Sequence, residues 1–224
     1  MRLDFTGKTA LVTGGANGIG LAVARQLRES GADVWIFDLE RERPSEVART
    51  FGAHAVSADV TDRSSLERAF DNVPVIDVLT ADAGIGVNEE IFDARIETWD
   101  RTIAVNLSGV FHTVQLAARK MKRQRSGAIV LTASTNSYDG EALLTAYNAS
   151  KAGVLGILHT TANELGPYGI RVNAVCPGLI RTRLTNTHFM TPEILKPYFQ
   201  HIPLGRGGEP EEVASTVAFL ASEG

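Results

Sequence analysis

Short apolar runs alternate with longer amphipathic segments along the whole chain, and this alternation constrains the fold more than any other feature. Short runs rich in β-branched residues are typical of strands buried in a parallel sheet. Apolar residues spaced three and four apart are typical of helices. The expected strands are 9–13, 33–37, 54–57, 75–80, 128–132 and 171–175, and the expected helices are 19–30, 62–71, 96–122, 146–165 and 210–221. The repeated strand–helix order predicts an α/β fold built on a parallel sheet.

The composition is that of an ordinary globular protein, with 44% hydrophobic and 21% charged residues. No repeat or linker divides the chain, so residues 1–224 are expected to form a single domain. The net charge of −4 gives no electrostatic case for nucleic acid or an anionic membrane. No apolar stretch approaches the ~20 residues of a membrane span, and the first residues lack a secretory signal. We therefore expect a cytoplasmic protein that acts on small molecules.

Cysteine and histidine give little indication of chemistry. Cys176 is the single cysteine, which excludes an internal disulfide, and its apolar neighbours favour an inert thiol. The five histidines show no ligand-like spacing, so no metal site is predicted.

A glycine-rich turn follows the first strand and opens the first helix, with Gly14, Gly18 and Gly20 in the pattern G-x-x-x-G-x-G. Glycines let the backbone approach a pyrophosphate, and the helix N-terminus offers unpaired N–H groups to the same anion. The spacing differs from the usual dinucleotide pattern G-x-G-x-x-G. A dinucleotide site is the favoured interpretation, and a tight connection without a ligand is the alternative.

Acidic residues follow three of the predicted strands, at the edge where such sheets bind ligands. Asp38 ends the second strand, where a carboxylate accepts hydrogen bonds from a ribose and repels a 2′-phosphate. NAD is therefore favoured over NADP, although Arg41 and Arg43 offer a phosphate some compensation. Asp59 follows the third strand and Asp82 the fourth, and for either segment an ordinary loop is the alternative.

Tyr147 and Lys151 are four residues apart in a predicted helix, which puts them on one face, one turn apart. A phenol has a pKa near ~10, and an adjacent ammonium has the right sign to lower it. Ser134 ends the fifth strand, where its hydroxyl is expected to face Tyr147 and bind a substrate oxygen. Asn106 lies inside a long predicted helix, where Asn is a mediocre helix former.

In their order and spacing, the glycine-rich turn, Asn106, Ser134, the Tyr147/Lys151 pair and Pro177-Gly178 resemble the short-chain dehydrogenase/reductase family over nearly the whole chain. The resemblance implies a Rossmann-like, doubly wound sheet with helices on both faces, in three layers. It implies that Tyr147 is the acid/base, that Ser134 orients the reacting oxygen, and that Asn106 holds a water of the proton relay. Lys151 then binds the nicotinamide ribose and lowers the Tyr147 pKa. The cofactor contacts it implies are Gly14, Asn17, Gly18, Ile19, Gly20, Asp38, Leu39, Asp59, Val60, Asp82, Ala83, Gly84, Tyr147, Lys151, Pro177, Gly178, Ile180 and Thr182.

Two features depart from the family pattern. Members usually have Asn-Asn-Ala-Gly where this chain has Ala81-Asp82-Ala83-Gly84, and a buried Asp82 must find hydrogen bonds or protonate. We expect weakened NAD binding that Asp82→Asn improves. The given sequence stops after a helix, so the family's final strand is apparently missing, and the sixth strand is expected to form an apolar sheet edge. The family is typically dimeric or tetrameric, and a homodimer or homotetramer is expected.

Residues 179–208 are rich in aliphatic and aromatic residues without a strand pattern, and they are expected to form a substrate lid or a packed helical insertion. Asp139 and Glu141 favour a hydroxyl-rich substrate. The predicted function is hydride transfer between NAD(H) and a secondary alcohol or ketone, possibly a polyol or sugar alcohol. One alternative is a 3-oxoacyl carrier-protein reductase, against which Asp38 counts. The other is a non-catalytic nucleotide sensor, against which the complete set of four catalytic residues counts.

Overall fold

A parallel sheet organises the computed structural model, which describes residues 3–186, 196 and 198–223. Its six strands in the described residues run in the order β3-β2-β1-β4-β5-β6. They are β1 (Thr9–Thr13), β2 (Asp33–Asp38), β3 (His54–Ser57), β4 (Val78–Ala81), β5 (Gly127–Thr132) and β6 (Ile170–Val175). Every neighbouring pair is parallel, as the sequence predicted.

The helices lie on both faces of the sheet, which confirms the three-layer prediction. They are α1 (Gly18–Glu29), α2 (Pro44–Arg49), α3 (Arg63–Asp71), α4 (Ile96–Ile103), α5 (Gly109–Gln124), α6 (Thr145–Leu165), α7 (Arg183–Asn186) and α8 (Pro210–Ala221). The alternation of side chains along a strand divides the core in two. Leu11 packs on the face that α3, α5 and α6 cover. Its neighbours Ala10 and Val12 pack on the face that α1, α2 and α8 cover.

Two predicted elements have different bounds in the structure. The strand predicted at 75–80 begins only at Val78, because the preceding apolar residues pack outside the ladder: Ile76 is buried in the core while Val75 is 42% exposed. The helix predicted at 96–122 is interrupted by a π-helical turn, Ala104–Ser108, before it continues as α5. Such turns occur frequently at functional sites. Helix α2, which has only six residues, was not predicted from the sequence.

β6 forms one edge of the sheet in the described part of the chain. From its exposed position on β6, Arg171 donates hydrogen bonds to the C-terminal carbonyl groups of α8, at 2.6 Å to Leu220 and 2.8 Å to Ser222. A cation at this end of a helix satisfies carbonyls that lack intrahelical partners. Within the described residues, no helix is long and apolar enough to cross a membrane.

Residues 187–195 and 197 of the predicted lid lie outside the described residues. The described ends of this segment meet each other, since Ile180 and Gly208 form a parallel bridge and Arg181 N donates to the Gly208 carbonyl at 2.8 Å. Thr182 also contacts the position that a Cβ on Gly18 would occupy, at 3.4 Å. The segment after β6 therefore crosses over the glycine-rich turn.

The order in which successive strands are added to the sheet reverses at the boundary between β1 and β4. β2 and β3 extend the sheet on one side of β1, whereas β4, β5 and β6 extend it on the other. The carboxyl ends of β1 and β4 therefore open a crevice at the topological switch point, which is where open α/β sheets bind ligands.

Candidate active site

The glycine-rich turn packs directly against the segment that follows β4. Gly14 has φ +70°, and a Cβ at this position would lie 2.8 Å from Ala83 Cα. A Cβ at Gly20 would lie 2.9 Å from Asp82 Oδ2. Asn17 precedes α1 without capping it by a side-chain hydrogen bond. The first N–H groups of α1 therefore open onto the glycine-rich turn, which we call the glycine cradle, and a helix N-terminus of this kind can bind an anion such as a pyrophosphate.

Gly14→Ala is expected to lower the unfolding free energy by about 2 kcal/mol, from left-handed backbone strain and the clash with Ala83 together. Gly7→Ala is a matched control, because Gly7 has φ +76° but a Cβ there would meet nothing within 4 Å. Urea unfolding of both variants separates strain from clash. Equal losses in the two variants would contradict the close packing of the turn.

Asp38 lies on one side of the cleft. We call this the β2 side and define it by Asp38, Arg41, Glu42 and Arg183. One Asp38 carboxylate oxygen accepts from Ala16 N at 3.0 Å and the other from Leu39 N at 2.8 Å. Burial raises the pKa of Asp38, and the two backbone N–H groups oppose that rise. The turn and the end of β2 thus hold one carboxylate at the edge of the cleft.

The catalytic residues predicted from the sequence converge on one end of α6. Burial raises the pKa of Tyr147, and a hydrogen bond with Ser134 opposes this rise. Ser134 Oγ also accepts from Asn136 N at 3.2 Å, which fixes its orientation at the end of β5. Lys151 Nζ lies 5.7 Å from the centre of the Tyr147 ring. In this arrangement burial outweighs every influence that lowers the Tyr147 pKa, so the phenol holds its proton at neutral pH.

Lys151 is 4% exposed, and its Nζ donates to the Thr132 carbonyl at 2.7 Å. Burial lowers the pKa of Lys151 to about 8, against the negative charge of Asp82, which raises it. Burial also raises the pKa of Asp82 to about 6, while the Thr132 hydroxyl and Lys151 lower it. Asp82 Oδ1 and Thr132 Oγ1 have no hydrogen-bond partner at normal distance among the described residues. Asp82 and Lys151 therefore place opposite charges in the wall of the cleft, where burial disfavours the charged form of each.

Asn106 lies in the π-helical turn and is fully buried. Its Oδ1 accepts from Ile85 N at 2.8 Å, and its Nδ2 donates to the Ile85 carbonyl at 2.8 Å and to Ser150 Oγ at 3.1 Å. Asn106 thus ties the segment after β4 to α6. The water that the family resemblance implies at Asn106 stays a prediction.

A cleft of about 490 Å³ joins these groups. Of the eighteen cofactor contacts predicted from the sequence, all but Gly20 line its wall. Asn106 and Ser134 are not among the residues that line the wall. Arg41 and the lid residues Arg183 and Leu184 also line the cleft. The lining residues that were not predicted include Glu42, Arg101 and Thr132. Their positions depend on distant parts of the chain meeting, for which the sequence offers no local pattern. No cluster of metal-ligating side chains occurs in the described residues.

Together, the switch-point cleft, the glycine cradle and the Tyr147/Lys151 pair define a nucleotide-binding oxidoreductase. A family model described as enoyl-(acyl carrier protein) reductase matches residues 14–224. The chain belongs to the short-chain dehydrogenase/reductase family, and members of this family bind a nicotinamide cofactor.

Curated relatives of this chain carry different activities. A 3-oxoacyl-[acyl-carrier-protein] reductase from Aquifex aeolicus is 38% identical, over 100% of this chain and 93% of the relative. An L-rhamnose 1-dehydrogenase (NAD(P)(+)) from Azotobacter vinelandii is 39% identical, over 96% and 90%. The crystal structure of a 3-oxoacyl-[acyl-carrier protein] reductase from Brucella melitensis is 32% identical with a TM-score of 0.91, over 99% and 87%. The family is therefore clear, while the relatives differ in substrate.

Proposed function

We propose that this protein transfers hydride between NAD(H) and a secondary alcohol or ketone, with Tyr147 as the acid/base. The observation that carries the proposal is the half-buried Tyr147 phenol, which lies beside Ser134 and within one helical turn of Lys151, in the same cleft as the glycine cradle. The cradle suits a dinucleotide, because Gly14 and Gly18 line the cleft without side chains at the N-terminus of α1, where a pyrophosphate can approach the backbone. A bound nicotinamide ring supplies the site that accepts or donates the hydride.

The chain's own residues move and hold the proton. In reduction, the protonated phenol of Tyr147 donates its proton to the carbonyl oxygen, which Ser134 orients by a hydrogen bond. In oxidation, Tyr147 takes the hydroxyl proton. The ammonium of Lys151, held by the Thr132 carbonyl, stabilises the phenolate that this step requires. Because burial raises the Tyr147 pKa, we expect the rate of oxidation to increase with pH through the neutral range.

The Asp38 carboxylate supports NAD(H) as the cofactor. A ribose with free hydroxyls donates hydrogen bonds to a carboxylate, whereas a 2′-phosphate is repelled by it. Arg43, which the sequence offered as compensation for a phosphate, pairs with Glu46 at 3.0 Å and does not line the described cleft wall. Arg41 does line the wall, but it pairs with Glu42 at 3.5 Å.

Glu141 supports a hydroxyl-rich substrate, such as a polyol or sugar. Its carboxylate accepts from Asn136 Nδ2 at 3.2 Å, and its negative charge raises the pKa of both Tyr147 and Tyr198. It therefore lies near the reacting phenol, where it can accept hydrogen bonds from neighbouring substrate hydroxyls. The L-rhamnose 1-dehydrogenase relative acts on a sugar, which agrees with this proposal. The second candidate is reduction of a 3-oxoacyl thioester, which the Aquifex aeolicus relative favours.

A substrate panel tests the proposal. Polyols, aldoses, simple secondary alcohols, ketones and an acetoacetyl thioester are each assayed with NAD(H) and NADP(H) by the absorbance of the reduced nicotinamide. We expect turnover of a polyol or sugar and a higher kcat/KM with NAD(H). Activity confined to the thioester with NADPH would favour the second candidate. Binding of cofactor without turnover of any member would favour a nucleotide sensor.

A homodimer or homotetramer in the cytoplasm stays a prediction, because it rests on the family resemblance and the composition alone. The single domain and the substrate lid at residues 179–208 are likewise proposals that rest on the sequence.

A further inference from the structure

The β2 side of the cleft holds a second carboxylate, that of Glu42. Glu42 is not among the cofactor contacts predicted from the sequence. The Glu42 side chain is 14% exposed, although the arginines around it are mostly exposed. Its Oε2 accepts from Arg183 at 2.8 Å and from Asn17 Nδ2 at 2.9 Å, and its Oε1 lies 3.5 Å from Arg41. Glu42 thus connects the glycine-rich turn, the end of β2 and the segment after β6.

These contacts place charge where a cofactor's adenosine ribose is expected. The negative charge of Glu42 raises the pKa of Asp38, and the positive charge of Arg183 lowers it, so all three groups share one electrostatic environment. Arg183 in turn lowers the pKa of Glu42, mainly through their hydrogen bond. Glu42 is therefore ionised at neutral pH and adds a second negative charge beside Asp38.

Arg41 and Arg183 are the cations on this side of the cleft whose guanidinium groups suit a phosphate. Glu42 pairs with both, and each pairing must be broken or shared before the arginine neutralises a 2′-phosphate. Asn17, which precedes α1, donates to Glu42 and so fixes the carboxylate against the turn. A ribose without a phosphate meets no such cost.

We propose that Glu42 is a second determinant of the preference for NAD(H) over NADP(H), acting with Asp38 by holding the two arginines that line the β2 side of the cleft. This inference rests on the proposed function, because it requires that the cleft bind a nicotinamide dinucleotide. Through Arg183, Glu42 also fastens the segment after β6 over the glycine-rich turn. Glu42 is a specificity and positioning residue, since the proton and hydride move elsewhere.

Glu42→Gln tests the inference, with Glu46→Gln as the matched control. Glu46 is on the same side of β2 and pairs with Arg43 at 3.0 Å, but it does not line the described cleft wall. Dissociation constants for NADH and NADPH are measured by nucleotide fluorescence, without any substrate. Removing the negative charge of Glu42 and freeing its hold on the two arginines is expected to raise the affinity for NADPH relative to NADH about tenfold. Glu46→Gln is expected to leave the ratio within about twofold.

Two further variants separate the inference from a general loss of structure. Asp38→Asn is expected to shift the ratio in the same direction as Glu42→Gln. The double variant Glu42→Gln/Arg183→Gln is expected to lose part of the gain, because it removes a cation that Glu42→Gln releases. Hydrogen exchange of the protein without cofactor is expected to quicken at residues 181–185 in Glu42→Gln but not in Glu46→Gln.

The outcomes distinguish this inference from the proposed function. A wild-type protein that binds neither nucleotide would overturn both. A wild-type protein that binds them, with the same ratio in Glu42→Gln and Glu46→Gln, would overturn the specificity function of Glu42 alone. An equal gain in the single and double variants would show that Arg183 is not held away from the phosphate.

Discussion

Tyr147→Phe is expected to lower kcat/KM by about 10³-fold in both directions, the middle of the range for a positioned acid/base. Phenylalanine keeps the ring that packs beside Lys151 and removes only the hydroxyl that hydrogen-bonds Ser134. Cofactor binding is expected to change little, because the other predicted cofactor contacts, including the glycine cradle and Asp38, are untouched. The measurements are steady-state kinetics on the best substrate of the panel and NADH titration by fluorescence.

Tyr168→Phe is the control for this variant. Tyr168 packs against Lys122, whose Nζ lies 4.7 Å from its ring centre, and it does not line the described cleft wall. Its kcat/KM should stay within about twofold of wild type, as for a surface substitution away from the site. Wild-type turnover in Tyr147→Phe would remove Tyr147 from the mechanism. A parallel loss of NADH binding would indicate disturbed folding and would contradict a purely chemical function of the hydroxyl.

Much of the fold and site could be predicted from the sequence because the governing patterns are local. The β-branched run at 9–13 identifies a buried strand, and the Tyr147/Lys151 spacing places both residues on one helical face. The glycine-rich turn is informative for the same reason. Its φ values and its close packing on Ala83 are properties that only glycine satisfies.

The rest depends on tertiary contacts that have no local pattern. Glu42 and Arg183 are 141 residues apart and meet only because the segment after β6 crosses the glycine-rich turn. The π-helical turn at Asn106 is stabilised by bonds to Ile85, which lies 21 residues earlier. The direction in which the Tyr147 pKa shifts is another example, because the assembled cleft determines how deeply the phenol is buried.

Asp82 shows how burial in the assembled fold changes the pKa of a group and the stability of the protein. Its folded-state pKa of about 6 lies above the ordinary value of 3.8, chiefly because burial disfavours the charged form. Folding therefore favours protonated Asp82, and the contribution of this group to stability falls as pH rises through the interval from 3.8 to about 6. Above that interval the full cost is about 3 kcal/mol, from 1.36 kcal/mol for each pKa unit. Asp82 Oδ2 also lies against Gly20 in the first turn of α1, where its charge offsets the positive end of the helix.

Asp82→Asn is therefore expected to gain stability over wild type by about 2 kcal/mol as pH rises from 4.5 to 7.5. NAD affinity should rise as well, because a neutral amide leaves the N-terminus of α1 fully available to an anion. Urea unfolding at both pH values and NADH titration at pH 7.5 measure the two effects. The exposed Asp93, changed to Asn, is the control and should show neither. A stability difference independent of pH would mean that Asp82 is ionised or protonated alike in the folded and unfolded chain. Unchanged affinity would mean that its charge does not reach the cofactor.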